Sequence, residues 1–274
     1  MKIFKSIKDL LYSKSVVDDD TKKWIFDTYA WALKSFGSDI FYDDTVLVLP
    51  TNDYFPDNSS DPSELALLIF ERVKKLAGMD EWDCDLVAQD PDVDPVISPA
   101  IVINNAPKGP AGSFKLEGND NRVVITYNPD LIKKPEELIA TFAHELSHYL
   151  SAVASELPPG GEEAWEPATD LIAVFIGFGV FLANSAFTYE SYSSIDAQGW
   201  SARSQGYLSQ DDLIYSLSVF CTLKKINSSL VEPYLKTSMR SYFKKTMDSM
   251  SDCSNEIDRL RSIKRIVKQE NVEK

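Results

Sequence analysis

The chain has only two histidines, and both lie in the nine-residue stretch Thr141-Phe-Ala-His-Glu-Leu-Ser-His-Tyr149. On a helix, positions i and i+4 share a face, so His144 and His148 can turn their imidazoles toward one ion. Glu145 follows the first histidine and precedes the second by three residues, within reach of a water held on that ion. This arrangement suits hydrolysis, with a cation that acidifies a water and a carboxylate that takes its proton. In random shuffles of two histidines and sixteen glutamates, the spacing H-E-x-x-H arises about once in two thousand. A catalytic zinc takes three protein ligands and keeps its fourth position for water. Candidates for the third ligand stand beyond the Pro158-Pro-Gly-Gly161 turn, where Glu162, Glu163 and Glu166 precede Asp170. Glu166 and Asp170 are again four apart, so one helix face can offer both. With both histidines engaged, none is left for a serine- or cysteine-centred triad. Tyr149, Tyr189, Tyr192 and Tyr207 are possible transition-state donors, but no spacing selects among them.

The motif needs a helix beneath it. Lys134-Pro135-Glu136-Glu137 supplies the start, with proline in the first turn and carboxylates at the positive end of the helix dipole. Leu138, Ile139, Phe142, Leu146, Leu150 and Val153 form a core stripe, which puts the histidines toward its border. The spacing predicts a helix running on to Pro158 and a second, apolar helix over residues 165–186. An antiparallel pairing of the two brings Glu166 and Asp170 opposite the histidines. Ahead of the motif, residues 113–117 and 122–127 flank a Gly-Asn-Asp-Asn turn and read as a hairpin. Earlier, the pattern predicts helices over residues 21–36 and from Pro62 to about Leu76, and a strand over Thr45–Leu49. Asp80–Asp94 reads as an acidic loop. Its alternate aspartates lack the glycine and glutamate of a calcium loop, since Pro95 and Ile101 hold those positions. From Asp211 onward the pattern is helical. The fold class expected is α+β, mainly helical, with a small antiparallel sheet or hairpin preceding the motif helix.

H-E-x-x-H followed by E-x-x-x-D on the next helix resembles the gluzincin metallopeptidases, over roughly residues 95–187. The chain is also similar to uncharacterised bacterial proteins that carry such a motif. The resemblance implies Zn2+ bound by His144, His148 and Glu166, Glu145 as the base that activates water, Asp170 orienting a ligand histidine, and peptide or protein as substrate. Pro167 departs from the family pattern, and it is tolerated if the second helix begins close to Glu166. The same resemblance admits a non-catalytic alternative, a zinc-binding fold serving as an interaction or regulatory module.

Composition narrows the context. The chain has 274 residues, 28 Lys+Arg and 42 Asp+Glu, for a net charge of −14. That balance argues against a non-specific nucleic-acid binder. Three scattered cysteines form neither a disulfide framework nor a cysteine-rich metal site, so the chain reads as cytoplasmic. The longest apolar run, Leu171–Ala183, is short of the about 20 residues of a membrane span, and Gly177 and Gly179 inside it read as sites of close helix packing. A membrane-bound peptidase using residues 171–187 is the rival expectation. Residues 222–274 hold 12 Lys/Arg against 7 Asp/Glu, a local +5; a solvated helix face is the expected use of that charge, and docking of a basic C-terminal helix on the acidic body or on a protein partner is the alternative. Two regions are expected: 1–94, an α+β accessory region, and 95–274, a minimal gluzincin-like domain with a helical extension.

Overall fold

The computed structural model describes residues 17–90, 96–98, 101–102, 112–117, 122–193 and 208–263. It is mainly helical with a small sheet. Helix α1 (Asp19–Phe36) begins where the Asp18 carboxylate accepts from the Thr21 amide. Helix α2 (Pro62–Leu76) is capped in the same way by Asp61. Four short strands follow as β1 (Asp85–Ala88), β2 (Val96–Ser98), β3 (Ile101–Val102) and β4 (Gly112–Glu117), then β5 (Arg122–Tyr127). The motif helix is α3 (Pro135–Ala152), and α4 (Trp165–Ala173) and α5 (Gly179–Ser193) continue from it. Helices α6 (Gln210–Leu223), α7 (Thr237–Ser249) and α8 (Ser254–Arg261) complete the described chain.

The expected hairpin is β4–β5, antiparallel with Phe114 opposite Ile125. The sheet is nonetheless mixed rather than wholly antiparallel. Its order is β1-β5-β4, and β1 runs parallel to β5 with Leu86 beside Ile125. Strand β1 lies inside the segment expected to be an acidic loop. Only Leu86, Val87 and Ala88 stand between its aspartate and Gln89, too short a run to show a period of two. Its strand character comes from pairing with a distant strand, which local pattern does not report. The turn between β4 and β5, the aspartates after Asp90, and Tyr207 lie outside the described residues.

Helix α3 packs against α2, α4, α5 and the β4–β5 face of the sheet. Phe142, fully buried, meets Phe70 edge-on at 5.1 Å and Tyr127 at 5.7 Å. Of the expected core stripe, Leu138, Ile139, Phe142 and Leu146 are buried, and Leu150 is half-buried. Val153 is exposed, because the helix stops at Ala152 instead of running to Pro158.

The expected second helix is two helices. The chain breaks at Gly177, where φ is 104° and ψ is 0°. The expected strand Thr45–Leu49 is extended but pairs with no strand among those described. It crosses this break, and the Val48 amide donates to the Gly177 carbonyl at 2.9 Å. A Cβ on Gly177 would meet the Val46 carbonyl oxygen at 2.1 Å. Gly179, by contrast, packs against Leu217 of α6, as close helix packing requires.

The hydrophobic cluster runs from Val17 to Leu260 and includes residues from both sides of position 94. Phe41 stacks on Phe175 at 4.6 Å, and the Tyr29 hydroxyl donates to the Ser216 carbonyl at 2.8 Å. The basic C-terminal segment docks on the body, at least to residue 263. Ile257 and Leu260 of α8 are buried, and Arg259 reaches Asp27 of α1 at 3.0 Å. Among the described residues, one helical stretch is long and apolar enough to cross a membrane, Gly161–Ala186, and its apolar window is wholly buried inside the protein. All three cysteines are free.

Candidate metal centre

His144 and His148 sit one turn apart on α3, and their Nε2 atoms stand 3.1 Å from each other. Helix α4 faces them across the turn at Pro158–Gly161, where Gly160 and Gly161 adopt positive φ and let the chain reverse. Glu166, in the first turn of α4, places Oε2 3.5 Å from His144 Nε2 and 3.4 Å from His148 Nε2. These three atoms form a nearly equilateral triangle. Two donors each about 2.0–2.1 Å from one tetrahedral zinc stand about 3.3 Å apart, so all three edges fit a shared small ion. Among the described residues, the His/Cys/Asp/Glu group that could hold a metal is this one. Glu162 and Glu163 are exposed in the preceding turn and lie outside it. Pro167 falls in the first turn of α4, which begins at Trp165.

Both histidines are held from behind. His144 Nδ1 is 2.9 Å from Asp170 Oδ1, and the other oxygen of Asp170 accepts the Leu208 amide at 2.9 Å. His148 Nδ1 stands 3.2 Å from the Trp165 indole nitrogen and 3.3 Å from Thr169 Oγ1. The Thr169 hydroxyl itself donates to the Trp165 carbonyl at 3.0 Å. Phe114 of β4 lies nearly parallel to the His148 ring at 6.3 Å, and the Phe114–Tyr149–Trp82 contacts extend an aromatic wall away from it. Tyr149 points its hydroxyl to the Asp83 carbonyl at 3.3 Å. Thr169 and Trp165 escaped the sequence reading. The available signal was their helical offset from the other site residues, with Thr169 three past Glu166 and one before Asp170.

Charges at the site are strongly linked. Burial disfavours a charged His144, yet its bonds to Asp170 and Glu166 prevail and raise its pKa to about 10 in the metal-free protein. Hydrogen bonds to His144 and His148 hold the Glu166 carboxyl well below its ordinary range, against the effect of burial. Glu145 is pushed the other way. Burial raises its pKa, and the neighbouring histidines only partly offset this. Among the described residues no hydrogen bond occupies the Glu145 carboxylate. It shares a cavity of about 230 Å³ with Gly112, Ser113, Phe114, His144, His148 and Glu166. At Gly112 a Cβ would meet Glu145 Oε1 at 2.9 Å and the Thr141 methyl at 2.7 Å, so only glycine lets β4 come this close to the motif helix.

No family model matches the chain, and neither a curated protein nor a solved structure matches it.

Proposed function

We propose that this protein is a zinc-dependent peptidase of the gluzincin kind, with His144, His148 and Glu166 as the metal ligands. The observation that carries the reading is the triangle of donor atoms 3.1–3.5 Å apart, with the Glu145 carboxylate, which no described residue hydrogen-bonds, in the same cavity. Zinc held there would polarise a carbonyl and lower the pKa of a bound water to about 7. The chain's own residues do the rest. Glu145 takes a proton from the attacking water and returns it to the leaving amine, the duty of a general base and then acid. Its raised pKa suits that exchange, since a carboxyl nearer neutrality both accepts and releases a proton readily. Asp170 keeps the His144 proton on Nδ1 and so leaves Nε2 for the ion.

A peptide substrate is favoured by β4. Among the described residues this strand pairs on one side only, with β5, and its Gly112–Phe114 portion lines the cavity. An extended chain added to that free edge would pass beside Glu145. The test is Glu145→Gln, which keeps volume and helix propensity. Zinc content should hold at about one per chain while cleavage of a peptide library falls about 10²-fold or more. If wild type and Glu145→Gln cleave equally, the hydrolytic reading is wrong. Bound zinc without cleavage by wild type would leave a metal-binding module.

A further inference from the structure

Asp170 accounts for one ligand histidine and leaves open what orients the other. When His148 gives the Nε2 lone pair to an ion, its neutral ring carries the remaining proton on Nδ1. That proton needs an acceptor. Two groups lie within reach, the Trp165 indole at 3.2 Å and the Thr169 hydroxyl at 3.3 Å. An indole N–H only donates, so with Nδ1 protonated it brings two donors face to face. Thr169 is the reverse case. Its own proton is committed to the Trp165 carbonyl, and its oxygen lone pairs remain for His148. The side chain is fully buried and cannot trade this partner for bulk water.

We propose that Thr169 is the positioning residue of His148, and that the Trp165 indole, a rival for the same nitrogen, must turn away when zinc binds. Helix α4 would then supply from one turn a ligand, Glu166, and the orienting group of each histidine, Thr169 and Asp170. The inference rests on the zinc reading above and concerns metal binding, so it does not depend on peptide cleavage.

The experiment measures zinc affinity of the full chain by competition with a chromogenic chelator. Thr169→Val removes the acceptor and should weaken binding about 10- to 100-fold, the usual range for a partner of a ligand histidine. Thr169→Ser restores the oxygen and should bind within about threefold of wild type. Trp165→Phe removes the rival donor and should bind zinc at least as tightly as wild type. A merely structural role for either residue predicts losses in both Trp165→Phe and Thr169→Val that track the melting temperatures of the metal-free proteins. Nitrogen NMR of zinc-loaded wild type gives a second readout, independent of any variant's folding. It should show His148 protonated at Nδ1 and the Trp165 indole N–H shifted from its metal-free position. Wild-type affinity in Thr169→Val, a loss in Trp165→Phe as large as in Thr169→Val, or an unmoved indole signal would overturn the proposal. Zinc uptake by wild type without peptide cleavage removes the peptidase reading and leaves this one standing. No uptake removes both.

Discussion

At the scale of single residues, metal binding as proposed would be a competition between protons and an ion for the same nitrogens. In the metal-free protein His144 is held protonated, with its pKa raised to about 10 by Asp170 and Glu166 in spite of burial. A bound zinc would have to displace that proton from Nε2. The sign follows directly, since lower pH favours the proton and higher pH favours the ion. Apparent zinc affinity should rise about tenfold per pH unit between pH 6 and 8 for each proton released. Competition titrations at three pH values check this, and a flat profile would show that His144 is not a ligand. Asp170→Asn should weaken binding about 10- to 100-fold, because its amide cannot both accept from His144 and match the Leu208 N–H with the second arm. Most of this site was legible beforehand. With only two histidines, four apart, the metal reading had no competitor within the chain, and Glu166 was separated from Glu162 and Glu163 by the position of Asp170. Thr169 was not legible, because a hydroxyl becomes a partner for His148 only through the angle at which α4 meets α3.

Elements were legible where local chemistry decides them. Asp61 announces a helix start, and Pro135 with two glutamates announces α3; apolar spacing announces α1, whose cap at Asp18 it misses by two residues. They were hidden where distant backbone decides them, as at β1 and at Thr45–Leu49. That second segment is apolar and β-branched enough for a strand, yet its use is to cross the break at Gly177. Hydropathy reads residues 165–186 as a single helix because both halves are buried, and burial is what hydropathy reports. Gly177→Ala should show the difference. A left-handed backbone at an L-residue and a Cβ 2.1 Å from the Val46 oxygen predict a loss of about 2 kcal/mol or more in urea unfolding. Gly179→Ala, whose nearest neighbours are the side chains of Leu217 and Val174, should cost less. Equal effects would mean that Gly177 is only a packing position.

For the molecule as a whole, the continuous core predicts interdependence. Phe41 from before position 94 stacks on Phe175 and meets Phe220 edge-on, and β1 completes the sheet that backs the motif helix. Residues 95–274 expressed alone should therefore fail to give a cooperative melting transition, despite holding every proposed ligand. A sharp transition with full zinc uptake would establish the motif half as self-sufficient. The full chain should remain in solution without detergent, because the apolar stretch that could span a bilayer is already covered by α1, α3, α6 and their neighbours. Retention in the membrane fraction after a carbonate wash would contradict this.

The two oxygens of Asp170 face different ways, one to His144 and one to the amide just ahead of α6. Whatever settles the first also bears on the second. Without an ion the ring is held by its bonds to Asp170 and Glu166 alone, whereas a bound ion would add a coordinate bond at Nε2 and stiffen the ring and, through it, both oxygens. The Leu208 amide should therefore exchange with deuterium more slowly once zinc is added, although it touches no ligand. Such protection would be a coupling free energy measured at a distance, and it gives an occupancy gauge that needs no knowledge of what the protein cuts.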